Sequence, residues 1–504
     1  PDVHYVYGQL PLFLLKIAAI LAPSADFLIL GRFLSALFDC GTVGFTFLIA
    51  RRLFSTQYAL FAAVLVAGAA LHIQHAHFFV TDAFAACFLT ASFWAGTRLI
   101  QENKTRDALL AGAFFGAALA CKISAALFVV ALLGFLFVFA RRNPLRRTIF
   151  CALLCGFAAV AAFRIGHPMA FRGEFLGGFF DLRPDVRFWS EVANQGAITR
   201  GEVDVPFNVQ WIGRKPWLFS LWNLGFWGYG WPFLLSAGAG LLVLARRPRG
   251  HAVLVVGALF AVVMFGIQGA AFSKFTRYFL PMTPFCALLA AHFWSEMEQR
   301  RAIFRWGALL VALLTALWGA SVASIYGRMH SRLAASRWIV QNIAPGTVVA
   351  YETGWDEGLP IQWAGGPGGN FNAVTLESFD LDTPQKRAKL TAKLDAAEWI
   401  FISSGRSWQN IPRWPQKWPM MSQFYYALFT NRLGFRLEKQ FVSYPQLGPF
   451  QFPDSNAEEA LTVYDHPSVL LFRKTKNYDA AKVRALLESV PLPPEQGWMP
   501  KLAP

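Results

Sequence analysis

The sequence predicts a polytopic α-helical membrane protein with a small α/β domain outside the bilayer, and three observations predict it. Hydrophobic residues make up 55% of the 504 positions and charged residues only 15%, a balance too apolar for a soluble chain of this length. Apolar runs long enough to cross a bilayer recur between residues 27 and 325. Many of the Lys and Arg behind the net charge of +16 sit in short clusters between those runs, where the positive-inside rule puts them. Charge so placed marks topology and argues against nucleic acid as a partner.

The clusters are Arg51-Arg52, Lys104 with Arg106, Arg141-Arg142 with Arg146-Arg147, Arg246-Arg247 with Arg249, and Arg300-Arg301 with Arg305. They are read as cytoplasmic. A first span is expected over Phe27 to Ala50. Next comes a hairpin, Tyr58 to Leu71 and Ala83 to Ile100, whose outer turn is "HIQHAHFFVTD". The run from Ala108 to Ala140 holds one lysine, in "ALACKISAALF". As a single helix its roughly 33 residues would measure about 50 Å, against about 30 Å of hydrocarbon, and its two basic flanks would fall on opposite sides. Two short spans that turn at Lys122 remove both conflicts.

Further spans follow at Ile149 to Phe163, Gly225 to Leu244, Ala252 to Ala271, Phe279 to Trp294 and Trp306 to Ile325, for about ten crossings with both ends outside. The chain opens on an outer loop at Pro1, so an inside-to-outside helix is expected upstream of it. Residues 1–325 form the membrane region, with a long outer loop over 164–220. Residues 326–504, about 180 of them, are enough for a core of their own. In this tail "AASRWIVQNIAPGTVVAYE" and "TPQKRAKLTAKLDAAEWIFISS" each read as helix, turn and strand. All six cysteines (Cys40, Cys87, Cys121, Cys151, Cys155 and Cys286) lie in apolar runs, and no disulfide is expected.

The outer face collects charge: Asp2, Lys16, Arg32, Asp82, Lys122, Arg164, Lys274 and Arg277 all fall at or near outer span ends. One such cation can snorkel to water at little cost, but several converging with two acids fit a site for an anionic, lipid-borne substrate. The three histidines of "HIQHAH", His72, His75 and His77, serve an interface as hydrogen-bond partners as readily as they would a metal, and no metal is predicted. Glu352, Asp356 and Glu357 read as a solvated loop after a strand, and the Trp-rich stretch 209–231 as an interfacial belt. Cysteines buried in spans and the lack of a nucleophile elbow give covalent catalysis little support.

These residues also carry a resemblance. "PDVHYVYGQLPLFLLK", "LGRFLSALFDCGTVGFTFLIARRLF", "HFFVTDAF", the Lys122 hairpin and "TRYFLPMTPFCALLAA" resemble, in order, the membrane glycosyltransferases of the GT-C superfamily. The nearest groups are those like protein O-mannosyltransferases and lipid A aminoarabinose transferases. In the tail, "WDEGLPI" and "LTVYDHPSVLLFRK" are similar to the outer domain of bacterial members. The resemblance implies a GT-C fold in a bacterial plasma membrane, an active site on the extracytoplasmic side, and transfer with inversion from a polyprenyl-phosphate sugar donor to a lipid, glycan or protein acceptor. It implies that Asp2 is the catalytic base, with Val3 where the family commonly has a second acid. Asp82 matches the acid of the second outer loop, and Lys122 and Arg277 match positions near the donor phosphate.

The chemistry asks for the same residue types. Inverting transfer is one displacement, in which a carboxylate takes the acceptor proton and cations hold the leaving phosphate. Lys274 and Arg32 join Lys122 and Arg277 as phosphate-binding cations, while His75, His77 and Lys16 are candidates for acceptor or supporting contacts. No cofactor is required. The rival reading is a transporter or lipid flippase, which usually places its polar groups at the bilayer midplane on broken helices in two related halves.

Overall fold

The computed structural model describes residues 6–173, 178–352, 358–364 and 370–493. The chain forms two compact units, one of Pro1–Gly196 with Lys215–Ala323, the other of Ala197–Arg214 with Ser324–Pro504.

The first unit is helical. It begins with α1 (Leu10–Leu21), α2 (Phe27–Arg51), α3 (Thr56–Gly68), α4 (Ala70–Ala76), α5 (Thr81–Glu102), α6 (Thr105–Cys121), α7 (Val129–Ala140) and α8 (Leu145–Gly166). After α9 (Val186–Arg200) and α10 (Leu218–Asn223) come α11 (Trp231–Arg246), α12 (Ala252–Ala270), α13 (Thr283–Arg300) and α14 (Phe304–Ala323). Asp26 starts α2 by accepting from the amides of Leu28 and Ile29, which meets two of the helix's orphan donors.

The sequence divides the Ala108–Ala140 run at Lys122, and the structure does too. Lys122, at φ −159° and ψ 122°, is extended between α6 and the 3-10 turn Ile123–Phe128 that leads into α7. Helix α6 runs antiparallel to α5, because Arg98 near the end of α5 meets Asp107 at the start of α6 at 3.2 Å. Helix α7 then returns along α5, where Phe93 packs on Phe128 and, with centroids 4.7 Å apart, on Phe135.

Small residues set the tightest crossing. A Cβ added to Gly112 or Gly116 of α6 would stand 2.0 or 2.1 Å from the carbonyl oxygens of Cys155 and Ala159 on α8. The two backbones can meet there only because both positions are glycine, as in small-residue membrane contacts.

Six stretches are long and apolar enough to cross a membrane: α2, α5, Ile123–Ala140, α8, α12 and α14. Helices α3 and α4, bent by 58° at their junction, make a seventh if taken as one broken span. Each of the ten expected runs contains helix, but length and composition give six or seven spans among the described residues rather than ten. Helices α6 and α11, at 17 and 16 residues, are short, and α13 ends on the polar turn "SEMEQR". A helix packed among neighbours needs neither the length nor the composition of one facing lipid.

The second unit is built on a five-stranded mixed sheet of β1 (Val348–Glu352), β2 (Asn372–Leu376), β3 (Trp399–Ile402), β4 (Phe435–Phe441) and β7 (Val469–Lys474). A two-stranded ribbon, β5 (Gln446–Leu447) and β6 (Phe450–Gln451), lies between the last two in sequence. The sheet order is β2-β1-β3-β7-β4. Strand β1 is parallel to β2 and β3, whereas β7 is antiparallel to β3 and β4. Helices α15 (Ser331–Asn342), α16 (Pro384–Ala396), α17 (Pro419–Phe429), α18 (Glu459–Thr462) and α19 (Ala480–Glu488) complete it. Thr383 caps α16 through the Lys386 amide.

The expected outer loop 164–220 is not one body. Its 197–214 stretch belongs to this second unit, where Asp204 pairs with Lys417 and the Ile212 carbonyl accepts from Arg413. All six cysteines are free thiols.

Candidate functional site

The break at Lys122 carries a charged cluster. Residues 118–121 end α6, so the lysine leaves the helix just where α5 begins alongside it. Its Nζ donates to Asp82 Oδ1 at 2.6 Å and lies 4.7 Å from the centre of the Tyr278 ring. Asp82 sits in the first turn of α5, where the positive end of the helix dipole favours a carboxylate. Arg277 and His75 also face it.

Arg277 belongs to the 3-10 segment Thr276–Met282, and its guanidinium lies over the Phe275 and Tyr278 rings at 4.8 and 5.9 Å. Side-chain exposure is 16% at Lys122 and 6% at Asp82. The pair is therefore largely screened from water, where charge-charge terms are strong and losing one partner is costly. A cavity of about 20 Å³, lined by Asp82, Lys122, Ser124, Gln268 and Tyr278 among others, adjoins the pair. That is room for one water.

The histidines of the outer turn have separate duties. His72 is fully buried and bonds to Asp39 Oδ1 of α2 at 2.5 Å. His75 and His77 each donate from Nδ1 to the carbonyl four residues back, Leu71 at 2.8 Å and Ile73 at 2.7 Å. Among the described residues no group of three or more His, Cys, Asp or Glu could hold a metal ion.

The N-terminal segment reaches the same turn. The Gly8 amide donates to the Cys121 carbonyl at 3.0 Å, and a Cβ at Gly8 would stand 1.9 Å from the Ala120 oxygen. Asp2, like Asp356 and Glu357, lies outside the described residues.

The other expected cations are dispersed. Lys16 and Arg32 are exposed on α1 and α2. Lys274 is buried, with Nζ donating to the Phe272 carbonyl at 3.0 Å, and burial pushes its ammonium down to about 8. Arg164 is buried and donates to the carbonyls of Phe179 and Gly173 at 3.0 and 2.8 Å, tying the loop after α8 to the helix. Glu352 is buried and accepts from the Tyr425 hydroxyl at 2.5 Å, so it is a core group of the second unit and not the solvated loop residue expected.

Sequence reasoning missed Asp39, Ser124, Gln268 and Tyr278. Asp39 had a signal, being an acid inside an apolar span. Tyr278 had only its position beside Arg277.

Residues 10–165 match the family model described as dolichyl-phosphate-mannose-protein mannosyltransferase. No curated protein matches the chain. Among solved structures, the oligosaccharyltransferase of Archaeoglobus fulgidus, tethered to an acceptor peptide containing the NVT sequon, is similar at 14% identity and a TM-score of 0.52, over 83% of this chain. The alignment spans 64% of that protein, just under two thirds of its length. ArnT from Cupriavidus metallidurans, bound to undecaprenyl phosphate, aligns at 14% identity and a TM-score of 0.44 over 93% of this chain and 88% of that one. In fold, and by the family match over its first helices, the chain is similar to the GT-C membrane glycosyltransferases.

Proposed function

We propose that the protein is a membrane glycosyltransferase that moves a sugar from a polyprenyl-phosphate donor to an extracytoplasmic acceptor with inversion at the anomeric carbon. One observation carries this reading: Lys122, Asp82, Arg277 and Tyr278 gather at a helix break beside a small cavity, and two of them, Asp82 and Lys122, lie within the stretch that matches the mannosyltransferase family. Lys122 and Arg277 would hold the donor phosphate, a point charge and a planar fork suited to phosphate oxygens. Asp82 keeps the lysine in place before the donor arrives, then shares it with the phosphate.

In the transfer step an acceptor hydroxyl attacks the anomeric carbon, and the bond from that carbon to the phosphate oxygen breaks. The oxygen leaves with the electron pair as polyprenyl phosphate. A carboxylate takes the hydroxyl proton. Asp2 is assigned that role, since it lies a few residues before Gly8, which is bonded at the Lys122 turn. The cations balance the leaving charge, and no metal is assigned. The site is taken to face the extracytoplasmic side, with the shorter helices α6, α11 and α13 completing a bundle of about ten crossings.

The test is incubation of the protein in nanodiscs with polyprenyl-phosphate sugars and candidate acceptors, read by mass spectrometry. Sugar transfer with release of polyprenyl phosphate is expected. Counterflow of an unmodified solute in liposomes, with the donor left intact, would replace the reading with a transporter.

A further inference from the structure

At the other end of α5 from Asp82, about 28 Å away along the helix axis, a second cavity of about 400 Å³ opens among the ends of α2, α5, α12 and α13. Its size falls in the range of small-molecule sites, roughly 300 to 1,000 Å³. Its charged and imidazole lining is Arg52, Arg142, His251, His292 and a single acid, Glu296. The first residues of the 19-residue helix α12 also face it, bringing amides without helical partners and the positive end of the helix dipole.

Two of these side chains stand ready for a ligand. His292 is 3% exposed and touches the His251 and Phe54 rings, with centroids 4.9 and 6.4 Å away. It makes no hydrogen bond among the described residues, and its ring nitrogens stay accessible at the cavity that it lines. Arg142 is exposed and has no side-chain partner among the described residues. Arg52, by contrast, is held by Gln101 and Glu102, at 3.2 and 2.6 Å, and supplies a fixed wall. The cavity lies where the spans end and the basic clusters begin, at headgroup depth for a membrane protein, and basic recesses between helix ends suit lipid phosphates.

We propose that this cavity is a second anion site, which binds the phosphate ester of a phospholipid headgroup through Arg142, His292 and the α12 N-terminus. Glu296 is placed to accept from a headgroup hydroxyl or ammonium. The site does not depend on the Lys122 cluster or on the transferase reading.

The test uses native mass spectrometry of the full chain with phosphatidylglycerol, and diacylglycerol as the phosphate-free control. A parallel titration uses glycerol phosphate, which carries the same ester without the lipid. Wild type is expected to retain phosphatidylglycerol well above diacylglycerol. Arg142→Ala, at an exposed position that leaves folding intact, is expected to lose about tenfold in retention, and Arg142→Ala with His292→Gln more than that. Glycerol phosphate bound with the same dependence on Arg142 would support the site and add a soluble source of ligand. Equal retention of phosphatidylglycerol by wild type and the double variant, or binding of diacylglycerol as tight as that of phosphatidylglycerol, would overturn the proposal.

Discussion

Replacing Lys122 with Met keeps the length of the side chain and removes its charge, which separates what the lysine does for the fold from what it does for transfer. In the resting protein the change deletes a 2.6 Å charge-assisted bond and leaves Asp82, at 6% side-chain exposure, without its ammonium. Breaking a buried pair from one side costs about 3–5 kcal/mol. Arg277 still faces Asp82, so the low end of that range is expected. On the donor side, losing one charged contact to the phosphate costs about 1.5–3 kcal/mol, or roughly 10- to 150-fold. The assay is donor affinity and single-turnover rate in nanodiscs, with thermal unfolding measured on the same samples. Asp82→Asn added to Lys122→Met removes the stranded charge, so stability should recover much of its loss while transfer stays slow. Lys122→Arg should keep part of the activity, because charge survives and geometry shifts. Near-normal donor affinity and rate in Lys122→Met would refute the phosphate contact. So would a double variant whose rate recovered together with its stability.

Three other expectations follow from the same structure. Asp2→Asn should cut turnover on the order of 10²-fold with donor binding intact, and normal turnover would remove Asp2 from the role of base. Lys274, pushed down to about 8 by burial, would be about 90% cationic at pH 7 and about 10% at pH 9. A phosphodiester donor keeps its charge over that window, so with Lys122 and Arg277 as the phosphate cations donor affinity should stay level as pH rises through about 8; a fall there that Lys274→Arg flattened would add Lys274 to the donor contact. Gly116→Leu should lower stability by about 1–3 kcal/mol, since the α6–α8 backbone contact must open, and an unchanged melting temperature would contradict the close crossing.

The hairpin at Lys122 was legible because length and charge conflicted: the apolar run is too long for one span and basic at both ends. That Asp82 would be its partner was not, since the two are 40 positions apart and only the antiparallel packing of α5 and α6 brings them together. Arg164 shows the converse. By sequence it was one more cation on the outer face, yet it spends its donors on loop carbonyls, whose positions a linear pattern cannot convey. Lys16 and Arg32 sit on exposed helix faces because helical phase, and not distance from a span end, decides where a side chain points. Length and composition single out six or seven of the ten expected spans among the described residues, because α6 and α11 are short and α13 carries a polar end, and helices packed among neighbours tolerate less length or more polarity. In the second unit, helix-turn-strand order was readable from period and turn residues, but the capture of 197–214 was not, since it rests on tertiary contacts such as Asp204 with Lys417.

The most direct test of the central claim is the stoichiometry and stereochemistry of a single turnover. A polyprenyl-phosphate sugar of known anomeric configuration is given to wild type and to Lys122→Met, with polyprenyl phosphate quantified by mass spectrometry and the product configuration assigned by NMR. The account predicts one polyprenyl phosphate released per sugar transferred, an inverted anomeric centre, and the same product formed more slowly by Lys122→Met. Retention of configuration, or sugar moved across the bilayer with its phosphate bond intact, would contradict it.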